Sequence, residues 1–309
     1  MERILEYFYR RLDQYYAEGD LESAERFLLD YKQETKQRGG DVLIAVCNEL
    51  GSFYRGTSRY EESVSAFQEA GDAIAAQLGT DCVEYATLLN NMAGTFRLAG
   101  QQERAVNCFS KAVDIYHRQG AEDSYAYASV LNNMALAYQE LGENEQAAQN
   151  LEQALTLIRN MPGHRHETAV TYSNLTALYH KMGKQQEAMR CLDLALKTFE
   201  ECSEEENVHY AAALNSLAGF LYSSGDYERA VSTYQKAAAY TKRFFGENVE
   251  YAVTHQNMYW VYKRMGKTQQ AAEALRTAER IYCRLFGPEH ERTMMAREEL
   301  KRLQGEIEL

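Results

Sequence analysis

Asn132 and Asn133 stand side by side in an otherwise apolar stretch, VLNNMALAYQELG. Forty-two residues earlier the chain writes LLNNMAGTFRLAG, with Asn90 and Asn91 in the same places. A carboxamide carries both a donor and an acceptor, so a row of them can hold the main chain of an extended peptide whatever its side chains are. Bond-making chemistry has no comparable arrangement. GxSxG, HExxH and P-loop motifs are absent. GHRHE at 163–167 puts His164 and His166 beside Pro162, in what reads as a solvated linker, and no carboxylate–cysteine set completes a metal site at a recognised spacing. No carboxylate pair can be nominated as acid and base without a motif to place it. The expectation is a chain that is not an enzyme, with no catalytic residue, no metal and no cofactor.

Where those amides point depends on the elements that carry them. Over 127–141, Leu131, Met134, Ala135 and Tyr138 fall at i, i+3, i+4 and i+7, one face of a helix. Stepping 100° per residue puts Ser129, Asn133, Leu136 and Glu140 on the opposite, open face and Asn132 on the flank. The same projection elsewhere puts Asn91, Asn174, Ser216 and Asn257 on the open face, with Asn90, Ser173, Asn215 and Gln256 on the flank. Trp260, the only tryptophan, projects beside Asn257. It could anchor a partner side chain or pack against the C-terminal helix. Leu136 and Leu98 add apolar area. Arg55, Arg97, Lys181, Lys263 and Arg264 gather at the ends of these helices, where cations suit the helix dipole or line a basic inner rim.

The repetition is chain-wide. Glycine recurs at Gly100, Gly142, Gly183, Gly225 and Gly266, at spacings of 42, 41, 42 and 41. An alanine follows each after five residues, from Ala105 to Ala271, and another seven further on, from Ala112 to Ala278. Phe96, Tyr138, Tyr179, Leu221 and Tyr262 stand four before each glycine. A weaker copy has Leu50, Tyr54, Ser63, Phe67 and Ala70, and a degenerate one Tyr15, Gly19 and Ala24. In the second half of the unit, Ala147, Leu151, Ala154 and Ile158 again make one helical face. Two helices joined at a glycine cannot bury their apolar faces alone, but stacked pairs can.

This pattern resembles the tetratricopeptide repeat, in a 41–42-residue form similar to the repeats of kinesin light chains and their bacterial relatives. The likeness runs over about 41–304. It implies an all-α, right-handed solenoid of antiparallel helix pairs whose first helices line an inner, concave wall. The open-face residues Asn91, Asn133, Asn174, Ser216, Asn257, Trp260, Leu136, Arg97, Lys181 and Arg264 would then share a peptide-binding groove. Some proteins of the family grip the C-terminal carboxylate of heat-shock chaperones through lysines and asparagines. Here the matching places hold Asn, Gly, Leu and Ala, which counts against that role.

Composition agrees with a binding module. The net charge of -12 opposes a nucleic-acid binder. No apolar run approaches the roughly 20 residues of a membrane span, and charges break the N-terminal stretch, so the expected place is the cytoplasm. Six scattered cysteines without CxxC read as free thiols in the interior. The acidic run EECSEEEN, 200–207, reads as a solvated linker. The expected division is a degenerate helical pair over 1–40, six repeats over 41–287 and a capping helix over 288–309. The expected function is noncatalytic capture of a protein or peptide partner, as adaptor or scaffold. The alternatives are a bacterial signalling-peptide receptor and a self-assembling structural protein.

Overall fold

Ten alanines recur at the two fixed places of the repeat, and all ten are fully buried. A larger side chain at any of them would overpack the interior, at about 1–3 kcal/mol. The computed structural model describes residues 2–36, 40–202 and 208–307. Among them every regular element is a helix.

Two compact units divide the chain. The first, Met1–Met161, holds α1 (Glu2–Glu18), α2 (Leu21–Lys36), α3 (Asp41–Gly56), α4 (Tyr60–Leu78), α5 (Val83–Leu98), α6 (Gln102–Arg118), α7 (Tyr125–Leu141) and α8 (Asn144–Ile158). The second, Pro162–Leu309, holds α9 (Arg165–Lys181), α10 (Gln185–Glu200), α11 (Val208–Ser223), α12 (Tyr227–Phe245), α13 (Val249–Arg264), α14 (Thr268–Phe286) and α15 (Glu291–Ile307). Each odd-numbered helix except α15 is followed, after two or three residues, by its partner, so the pair must run antiparallel.

The turn chemistry repeats with the sequence. Gly142 sits in the left-handed region, at φ 82° and ψ 4°, which only glycine adopts freely. The next N–H, of Glu143, then reaches back to the Tyr138 carbonyl at 2.9 Å, a Schellman closure of the helix end. The bulky residue four before each glycine is thus the one whose carbonyl closes the turn. In the weaker copy Ser58 takes the glycine's place at φ 62°, and the Arg59 N–H still bonds the Tyr54 carbonyl at 2.8 Å.

Where the weaker copy replaces alanine with Ser63, its buried hydroxyl bonds the Gly51 carbonyl at 2.6 Å and the Thr95 hydroxyl at 2.9 Å. Alanine's space is kept, and the added oxygen is satisfied. Gly51, opposite, leaves room for Phe67: a Cβ there would lie 2.6 Å from the ring.

Three sequence expectations are corrected. Arg165, His166 and Glu167 open α9 rather than lying in a solvated linker, and the His166 ring packs against Phe199, centroids 5.6 Å apart. None of the six cysteines is in a disulfide, but only Cys47 and Cys191 are buried; Cys82, Cys108, Cys202 and Cys283 are half-buried. Glu200 ends α10 and pairs with Lys236, while 203–207 of the acidic run lie outside the described residues.

Candidate functional site

In each unit successive first helices pack on one another: α3 on α5 and α5 on α7, then α9 on α11 and α11 on α13. Successive second helices show no comparable packing. The first helices therefore form the tighter, inner side of each stack.

The flank positions are all hydrogen-bonded, three of them to another helix and Asn132 and Ser173 to the turn before them on their own helix. Asn90 accepts from the Asn133 amide at 3.1 Å, and Asn132 donates to the Ala128 carbonyl at 3.4 Å. Ser173 bonds Ala169 at 2.9 Å, Asn215 accepts from the Thr254 hydroxyl at 3.0 Å, and Gln256 accepts from the Tyr282 hydroxyl at 2.8 Å.

The open-face amides divide by unit. In the first, Asn91 donates to Asn48 at 3.1 Å, as Asn133 does to Asn90. An open-face amide thus bonds the flank amide of the preceding repeat, in a ladder that spends one donor of each open-face residue and leaves its oxygen. In the second unit Asn174 and Asn257 are half-buried, and no such bond holds their amides among the described residues. Ser216 is exposed and bonds its own helix at Ala212, 3.0 Å away.

The cations tie repeats together. Arg55 donates to the Asn91 carbonyl at 3.1 Å, and Arg97 pairs with Glu140. Lys263 reaches the Tyr259 hydroxyl at 3.0 Å and Glu299 at 3.3 Å. Arg264 donates to the Tyr222 hydroxyl at 3.4 Å. Lys181 is exposed. Burial, with Arg97 nearby, pushes the Arg55 guanidinium below its usual range. Lys263, held by the Tyr259 hydroxyl, is raised.

Trp260 is 43% exposed. Its ring lies 4.7 Å from that of Tyr259, and the Lys263 ammonium stands 5.5 Å over it. Leu98 is exposed and Leu136 half-buried. Two members of the inner column escaped sequence reasoning, because the weaker copy hides them. Asn48 stands forty-two before Asn90, and Glu49 forty-two before Asn91. Burial, then Asp13, push the half-buried Glu49 carboxyl up, against the pull of Arg55. Among the described residues no three His, Cys, Asp or Glu side chains cluster to hold a metal, and no helix is long and apolar enough to cross a membrane.

The tetratricopeptide repeat sequence profile matches residues 41–118, 126–201 and 209–284. This chain belongs to the tetratricopeptide repeat family. Its fold is similar to that of BtubC (BKLC) from P. vanneervenii, at 25% identity, 63% of this chain and 80% of that one covered, and a TM-score of 0.58. A tetratricopeptide repeat protein from Parabacteroides merdae is similar over 97% of this chain and 98% of its own, at 16% identity and a TM-score of 0.54. A Rap protein complexed with Competence and Sporulation Factor is similar over 92% of this chain and 80% of its own, at 15% identity and a TM-score of 0.61. The last two likenesses show the fold alone. No curated protein sequence matches this tetratricopeptide repeat chain.

Proposed function

We propose that this tetratricopeptide repeat protein is a noncatalytic adaptor that binds an extended segment of a partner protein on the inner faces of its first helices. The observation that carries this reading is Trp260. A soluble protein gains nothing in stability from leaving its one indole 43% exposed. The indole lies a turn after Asn257, whose amide no described residue engages, and under the cation of Lys263. A rigid aromatic surface beside a free amide offers a partner both an apolar anchor and a main-chain contact. Asn174 and Ser216 extend that polar surface within the second unit. In the first, the ladder amides keep their outward oxygens, and Leu136 supplies apolar area. Arg97, Lys181 and Arg264 stand where selectivity for acidic side chains would arise. The Rap protein of similar fold is itself complexed with a factor, which supports ligand capture as a use of the architecture.

The single tryptophan makes the test direct. Peptides selected from a displayed random library on the full chain should shift or quench Trp260 emission on binding. Trp260→Ala should weaken them by about tenfold or more, the loss expected of an anchor, with the helical circular dichroism of the folded chain retained. Selected peptides that leave the emission and the Trp260→Ala affinity untouched would sink the assignment.

A further inference from the structure

Three cations converge on one carboxylate where α12 turns into α13. Glu247, in that turn, is approached by Arg280 at 2.9 Å, Lys242 at 3.2 Å and Arg284 at 3.5 Å. Arg284 also holds the Glu247 carbonyl. One negative charge faces three positive ones, a local excess of two in a chain of net -12. The imbalance is exposed on one side only. The side chain of Glu247 is 21% exposed, whereas those of Lys242, Arg280 and Arg284 are 58%, 55% and 50% exposed. The carboxylate is the more covered partner, and each cation keeps half or more of its side chain exposed. Each guanidinium has donors beyond those that Glu247 takes, in the planar fork that suits a second carboxylate.

Within α14, Arg280 and Arg284 are one turn apart, on one face, and no further carboxylate pairs with either among the described residues. Like charges so placed repel, and Glu247 relieves only part of the repulsion. We propose that Lys242, Arg280 and Arg284 form a second contact surface, distinct from the first-helix faces, that docks an acidic segment of a partner protein. Glu247 is the resident carboxylate of that surface, and the partner's Asp or Glu side chains take the remaining donors. Acidic protein fits better than nucleic acid or an anionic membrane. Three cations are a small patch, and the chain's overall negative charge repels a polyanion that must approach over a wide area.

The test uses the full chain and a fluorescein-labelled, capped octaglutamate, followed by anisotropy at low salt. Arg280→Gln with Arg284→Gln should weaken binding by about tenfold, the scale of two lost charge-assisted contacts. Glu247→Gln should strengthen it several-fold, because the resident competitor is gone; a merely structural Glu247 would give no gain. Removing two cations elsewhere, Arg26→Gln with Lys301→Gln, should change little. Circular dichroism checks that each variant is folded. Equal weakening by the control pair, no gain from Glu247→Gln, or no saturable octaglutamate binding would overturn the proposal. So would a 20-nucleotide single-stranded DNA that competes better than octaglutamate charge for charge.

Discussion

His255 on α13 packs its ring against Tyr251, centroids 4.5 Å apart, and neither ring nitrogen has a partner among the described residues. Burial pushes its pKa down to about 4, the nearby Lys242 and Arg280 adding to the fall and Glu247 opposing it. The folded chain therefore gives up this proton at lower pH than the unfolded chain, whose histidine titrates near 6.5. Between those values the unfolded state binds more protons, so stability falls as pH drops from 6.5 to about 4 and levels off below. The loss is on the order of 1–2 kcal/mol after a discount for the part of the ring that meets solvent. His255→Phe keeps the ring and removes the proton site. Its thermal midpoint should vary less with pH across that window than wild type. Parallel curves would show that His255 carries none of the acid sensitivity. Glu247 acts in a separate window. Its hydrogen bonds with Arg280 and Lys242 hold it down to about 2, so its contribution is lost only as pH falls from the usual carboxylate range towards 2.

At the scale of the helix, two glycines separate crowding from conformational freedom. Gly51 on α3 and Gly94 on α5 are both helical, so alanine would favour the helix at each by roughly 0.5–1 kcal/mol. What the new methyl meets differs. At Gly51 it lies 2.6–2.7 Å from three atoms of the Phe67 ring, itself fully buried. At Gly94 it meets only the end of the Arg55 side chain, at 3.2 Å. Gly51→Ala should therefore destabilise by about 1–3 kcal/mol, and Gly94→Ala should be neutral or stabilising by up to about 1 kcal/mol. Urea denaturation decides it; equal effects would mean that helix packing does not set the difference. The same contrast shows what the sequence could disclose. Ala105, Ala147 and their equivalents announce tight packing because small residues at a fixed spacing have one main use, and the glycines announce left-handed turns for a similar reason. The Asn91–Asn48 and Arg97–Glu140 contacts join residues about one repeat apart on neighbouring helices. They depend on how far one first helix is staggered against the next, which a period within one helix does not encode. Trp260 was legible as an open-face residue but not as an exposed one. His166 reads as linker from sequence because Pro162 and Gly163 stand just before α9, whose first turn it occupies.

Across a whole unit, the packing is local in the chain. Within Met1–Met161, extensive contact joins each helix to the next in order, and α3 to α5 to α7. Helices further apart in sequence lack comparable packing. Stability in such a stack is close to a sum of pair terms and nearest-neighbour terms rather than one shared core. The core clusters agree: Phe8, Leu12 and Leu28 of the first pair join Val46 and Leu50 of α3, while Phe96, Phe109 and Tyr116 join Val130 and Leu131 of α7. A local defect should therefore be felt in a graded way. In Gly51→Ala, amide hydrogen exchange should speed up most in α3 and α4, less in α5 and α6, and least in α7 and α8, because each step away puts one more interface between the amide and the crowded ring. An equal loss of protection in all six helices would show that the unit opens as a single cooperative body. A graded one would give the inner faces a specific property: a partner held by some first helices would stiffen those nearby and leave distant ones free to take another segment.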